Sequence, residues 1–130
     1  MAFPPGQTAA VHPRRGEIWF VRLPTDPPEK QGRPVVVVSI EARNQHPRAN
    51  TVLVIPMSTT LRDSPAHIRL KAGETGLLEE VDAQAENITT IRKMSLHAPR
   101  TRLRRLSESQ LKRIAHCVVL ALGFIPERIS

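Results

Sequence analysis

Residues Glu17, Trp19, Val21 and Leu23 alternate with Ile18, Phe20 and Arg22, so apolar groups fall on parts of both faces of a strand that Pro24 ends. The stretch 24–32 holds three prolines and Gly32 and predicts a loop. Val35 to Ile40 follows with four consecutive valines and no alternation, the pattern of a central strand buried on both faces. Pro34 cannot donate to a ladder and fits only where that strand begins. After a polar loop over Glu41 to Asn50, Thr51 to Ile55 is a third β-rich run, ended by Pro56. The short alternating segment His67 to Leu70, a turn at Gly73 and Gly76, and two further short strands, Leu77 to Ala85 and Asn87 to Ile91, complete this part.

The period then changes. Ser107 and Gln110 have capping-box spacing, and Leu111, Ile114, Ala115, Val118 and Leu122 recur as on one helix, with Gly123 as its stop. The stripe widens through Val118, Val119 and Leu120, which predicts that the far end is covered by the core or by a second subunit. Several short strands with one late helix predict a mainly β fold with a C-terminal helix. A small twisted barrel is favoured, because there are too few helices for parallel crossovers. Residues 1–13, rich in Pro and Ala, are expected to form a flexible tail to a single domain over 14–130.

The 130-residue chain carries 19 Lys and Arg against 12 Asp and Glu, a net charge of +7 that favours phosphate-bearing or acidic partners. Arg100, Arg102, Arg104 and Arg105 form the densest basic block, either a solvated face or an RNA contact. The one cysteine, Cys117, falls in the helical apolar pattern and reads as a small buried hydrophobe. No secretory leader and no apolar run near the ~20 residues of a membrane span is visible, so a cytoplasmic protein is expected. The five histidines show no close-spaced ligand pair, and neither a phosphate-cradling glycine loop nor a nucleophile elbow is found, so no metal or cofactor is expected.

What remains is a set of polar groups at strand edges: Glu29, Arg33, Ser58, Thr59 and Glu86. Metal-free RNA cleavage needs an acceptor for the 2′-OH proton, a donor to the departing 5′ oxygen, and a cation over the phosphorane. Arg33 suits the last because its planar fork matches phosphate oxygens. Glu29 is the first choice for proton abstraction and Glu86 the second. Against this stand plainer roles: an Arg33–Glu29 surface pair, and Ser58 and Thr59 as ordinary turn residues.

Four blocks in order, Arg15-Gly-Glu-Ile-Trp-Phe-Val21, Glu29-Lys-Gln-Gly-Arg-Pro-Val-Val-Val-Val-Ser39, Val54-Ile-Pro-Met-Ser-Thr59 and Gln84-Ala-Glu-Asn-Ile-Thr-Thr-Ile-Arg-Lys93, together with the closing helix, resemble the MazF/PemK family of toxin endoribonucleases. The resemblance implies an SH3-like small barrel of PemK/CcdB type, and a homodimer that cuts single-stranded RNA without metal, leaving 2′,3′-cyclic phosphate and 5′-OH ends. It also implies a cognate antitoxin that lays an acidic, extended segment along the dimer.

By position, Arg33 takes the place of the family's catalytic arginine, Glu29 its loop acid, Ser58 its hydroxyl with Thr59 beside it, and Glu86 its Asp or Glu. RNA contact then falls to Lys30, Gln31, Arg43, Asn44, His46 and Arg62. The chain departs from the pattern in a short Glu29 to Arg33 interval, in Ser58 for the usual Thr, and in Thr89 where many members have Arg. Two other functions share the fold: a nonenzymatic gyrase poison acting through Phe124 to Ser130, and an inactive member that binds RNA or antitoxin without turnover.

Overall fold

The structure, a computed structural model, describes residues 12–22, 32–99 and 101–129. Six strands and a long C-terminal helix organise these residues: β1 Ile18–Val21, β2 Arg33–Val37, β3 Thr51–Ser58, β4 His67–Leu70, β5 Val81–Gln84, β6 Thr89–Arg92 and α3 Glu108–Ala121. Two one-turn helices, α1 Glu41–Asn44 and α2 Ala72–Thr75, lie between them. All pairings are antiparallel in the order β1-β2-β3-β5-β4, with β6 also on β3, and the described sheet does not close into a ring.

Three of the four valines behave as the pattern predicts, although the strand spans Arg33–Val37 rather than Val35 to Ile40 and Ile40 is exposed. Val35, Val36 and Val37 are all 0% exposed, and alternate members enter two different cores. Ile18, Val36, Ile55, Met57, Ile68, Leu70, Val81 and Ala83 face Leu111, Ile114 and Cys117 of α3. On the other face Val21, Val35, Val37, Val52 and Val54 pack with Leu96. Cys117 is thus the buried hydrophobe its spacing suggested. The helix begins on the expected capping box: Ser107 Oγ accepts from Gln110 N at 3.2 Å, and Gln110 Oε1 accepts from Ser107 N at 2.7 Å.

Three expectations change. The stretch 41–50 opens with the helical turn α1, because Arg43 N and Asn44 N both donate to Ile40 O at 3.0 Å and the Asn44 side chain is buried on Ser39. The third strand runs through Pro56 to Ser58 rather than stopping at Ile55. Val38 N donates to Leu53 O, so residues 53 and 55 turn their bonding groups toward β2, and the nitrogen of Pro56 faces the other side. There β6 pairing ends at Val54 and β5 pairing begins at Met57, so no donor is required of the proline. Finally, of the two covers expected for the far end of the helix, the core supplies none among the described residues, which leaves the second subunit: Leu120, Leu122, Phe124, Ile125 and Ile129, at the end of α3 and just beyond it, are all exposed.

Candidate active site

Pro34 decides where the β2–β3 ladder opens. Val37 N donates to Glu17 O at 3.0 Å, so alternate residues 37, 35 and 33 bond toward β1, while Val36 and position 34 bond toward β3. A residue other than proline at 34 could continue the β3 ladder after Val36. The last β2–β3 pair is Val35 with Pro56, whereas β2 stays paired to β1 through Pro34 with Phe20 and Arg33 with Val21. Arg33 and Ser58 therefore stand at the mouth of an opened ladder, each two residues past that last pair. Alternation puts both on the face of Val35 and Val54, where the apolar interior gives way to polar groups.

That polar end is built from three strands. Ser58 is paired with Asp82, and Asp82 with Arg69, in one row across β3, β5 and β4. Asp82 is buried, with its side chain 1% exposed. Its carboxylate accepts from Arg69 Nε at 3.0 Å and from the backbone N–H of Arg62 at 2.6 Å. Burial alone would raise its pKa, but the Arg69 guanidinium and the Arg62 N–H outweigh that and hold it below its ordinary value. Next in the same face is His67, whose side chain is 7% exposed. Its Nε2 is 2.5 Å from Glu86 Oε1 and its Nδ1 3.5 Å from Asp82 Oδ2. Burial pulls the imidazole pKa down; the hydrogen bond and charge of Glu86, with Asp82 behind, reverse this and leave it raised.

The Ser58 hydroxyl oxygen accepts from Thr60 N at 3.1 Å, which closes a short turn directly after β3. With that lone pair engaged, its O–H proton is available to donate outward. Thr59 instead lines a cavity of about 780 Å3, with Phe20, Pro34, Leu77, Val81 and His97 among its walls. Glu86 joins the cluster through His67 and Asp82. Glu29, Lys30 and Gln31 lie outside the described residues, as does Arg100 of the basic block.

The remaining sequence candidates stand elsewhere. Arg43, Asn44 and His46 sit beside Thr51, the other end of β3, about 23 Å along the strand from Ser58 at the usual rise per residue. Asn44 is buried, donating to Ser39 O and Glu41 Oε1 at 2.8 Å each, and Arg43 spends its guanidinium on Thr51. Arg43 thus ties α1 directly to β3, Asn44 pins it to Ser39, whose Oγ accepts from Leu53 N of β3 at 3.1 Å, and Lys93 Nζ adds a bond to His46 O at 3.1 Å. Arg62 is exposed, and its backbone rather than its side chain meets the cluster.

Asp82, His67 and Arg69 were not among the sequence candidates. The signal was there: in Val81-Asp-Ala-Gln84 and His67-Ile-Arg-Leu70 the polar residues alternate with apolar ones, so two short strands offer opposite charges on their non-core faces.

Residues 14–122 match the sequence family described as PemK-like, MazF-like toxin of type II toxin-antitoxin system. The chain is 29% identical over 110 residues to the probable endoribonuclease MazF5 of Mycobacterium tuberculosis, covering 85% of this chain and 93% of that protein. Among solved structures, an endoribonuclease in complex with its cognate antitoxin from a mycobacterial species superposes with a TM-score of 0.66 at 25% identity, covering 86% of this chain and 96% of that one. The Mycobacterium tuberculosis toxin MazF-mt6 gives 0.65 at 24% identity, over 83% of this chain and 97% of that one.

Proposed function

The chain belongs to the PemK-like, MazF-like toxin family of type II toxin-antitoxin systems, and from that footing we propose that it is a sequence-specific endoribonuclease acting at the mouth formed by Arg33 and Ser58. The 2′ oxygen attacks the adjacent phosphorus, the P–O5′ bond breaks, and the departing 5′ oxygen takes a proton from solvent water. The products are a 2′,3′-cyclic phosphate and a 5′-OH end. Arg33 meets the equatorial oxygens that gain charge in the phosphorane, and the Ser58 O–H donates to the same group. Glu29, four residues before Arg33 in sequence, takes the 2′ proton, and Glu86 is the second choice for that role. No metal is required for these steps. Lys30, Gln31 and Arg62 contact the RNA, while Arg43, Asn44 and His46 belong to a more distant contact or to the scaffold alone.

The observation that carries this reading is the position of Arg33 and Ser58, at the end of the one ladder that Pro34 opens, on the same face. The apolar cavity beside Thr59 supports it, since a splayed base needs such a wall. The exposed apolar residues at the end of α3 and beyond it, from Leu120 to Ile129, support a homodimer. A charge of +7 suits a cognate antitoxin with an acidic, extended segment. No helix of the described residues is long and apolar enough to cross a membrane, and the toxin is proposed to act in the cytoplasm.

Purified protein incubated with pooled single-stranded RNA in EDTA, followed by end mapping, tests this directly. Cyclic phosphate ends at one short sequence are expected. Intact RNA in the presence of folded protein overturns the reading.

A further inference from the structure

Resting on that nuclease reading, we propose that Asp82 is the positioning residue of the reaction: from its buried place beside Ser58 it clamps the turn of residues 58–62 that carries both hydroxyls, so that the Ser58 O–H meets the phosphate in one geometry.

The argument begins with the expense of the arrangement. A carboxylate buried on a sheet face is unfavourable unless it is paired and fully hydrogen-bonded, and an apolar residue of similar size would fit the same row more cheaply. Asp82 is satisfied on two sides, and the two partners differ in kind. Arg69, on the neighbouring strand, holds the carboxylate still through Nε at 3.0 Å and NH2 at 3.4 Å. Arg62 N, four residues after Ser58, donates to Oδ2 at 2.6 Å. The segment after β3 is therefore fixed at both ends: Ser58 by its pairing with Asp82, and Arg62 by the carboxylate of that same residue. Between them Thr60 N closes on Ser58 Oγ at 3.1 Å, which sets the direction left for the hydroxyl proton.

Ser58 lies where the ladder pairing with β2 has already ended. The clamp from the β5 side supplies the constraint that the opened ladder gives up. A misplacement of about 1 Å in such a group costs on the order of 10²-fold in rate, without a matching loss of ground-state binding.

The test uses the full chain and a single-stranded oligonucleotide carrying the mapped cut sequence, together with the same oligonucleotide bearing a 2′-deoxy residue at the cut, which binds but cannot react. Asp82→Ala is expected to lower the single-turnover rate about 10²-fold, with the Kd for the deoxy oligonucleotide near that of wild type. Asp82→Asn keeps an oxygen for the Arg62 N–H and is expected to recover most of the lost rate. Amide hydrogen exchange reads the clamp independently of activity and remains available if the alanine variant folds poorly. Arg62 N–H should be protected in wild type and in Asp82→Asn. A wild-type rate in Asp82→Ala, an asparagine variant no faster than the alanine one, or an unprotected Arg62 amide in wild type overturns this inference alone. Wild-type protein that cuts no RNA overturns the nuclease reading and this inference with it.

Discussion

Arg33 and Ser58 stand on neighbouring strands, each two residues past Val35 and Pro56, the last pair that β2 and β3 make. A proline between Arg33 and Val35 ends the ladder, so a rigid valine strand delivers its arginine to an open edge rather than into another rung. The rigidity matters because a long side chain on a fixed origin has fewer positions to search when it meets a phosphate.

Arg33→Ala is expected to lower the cleavage rate by at least about 10²-fold, with thermal melting close to wild type. Arg33→Lys retains charge but loses the planar fork, and its rate should fall between the two. Full activity in the alanine variant, measured on the mapped oligonucleotide, would sink the assignment of the cation.

Ser58 and Thr59 are separable. Ser58 shares the face of Arg33, while Thr59 lines the cavity with Pro34 and His97. Ser58→Ala should cost about 10²-fold in rate, and Ser58→Thr should keep most of it, since the hydroxyl remains and the added methyl narrows its rotamers. Thr59→Ala should act mainly on the KM or on which sequence is cut. Equal rate losses at the two positions would contradict this division.

The Asp82, His67 and Glu86 cluster makes stability depend on pH in two windows. His67 has a raised pKa in the folded chain, so its contribution is present below the ordinary value of 6.5 and is lost as pH rises through the folded value. Asp82 has a lowered one, so its contribution is present above the ordinary 3.8 and is lost as pH falls through the folded value. Urea midpoints should therefore be highest on the mildly acidic side. His67→Gln should flatten the decline above neutrality, and Asp82→Asn the decline in acid. A wild-type midpoint that rises from mildly acidic to alkaline pH would show that the imidazole is not held as a cation.

Ser107→Ala removes the cap of α3 and leaves Gln110 N without its side-chain acceptor. A loss of about 1 kcal/mol is expected from urea unfolding, with cleavage unchanged at temperatures where the variant is folded. No change in stability would mean that tertiary packing of Leu111 and Ile114 alone sets the helix start.

The sequence made the valine strand, the helix with its cap and the family blocks legible, because each rests on local pattern: burial on both faces, a 3.6-residue stripe, turn residues at fixed offsets. It did not reveal that β3 runs on through Pro56. That depends on which side of the strand the proline nitrogen faces and on β5 and β6 leaving a gap there, neither of which is written within residues 51–58. Arg43, Asn44 and His46 looked like reading residues because they are polar and lie in a connecting stretch. Asn44 proves to be a buried pin of α1 on Ser39, whose Oγ accepts from Leu53 N of β3, and that link appears only in the folded chain. Asp82 was passed over for the converse reason, as its meaning lies in the neighbours at Ser58, Arg62 and Arg69, which are far from it along the chain.

β3 pairs with three other strands: β2 on one edge, and β6 then β5 on the other. Amide exchange along its middle, around Leu53 and Val54 where both edges are paired, should consequently be governed by unfolding of the whole domain. Any partner that silences the enzyme by loosening this strand would have to supply nearly the full free energy of unfolding. Covering the mouth asks far less, and an inhibitor that leaves the fold intact also leaves activity recoverable the moment it departs.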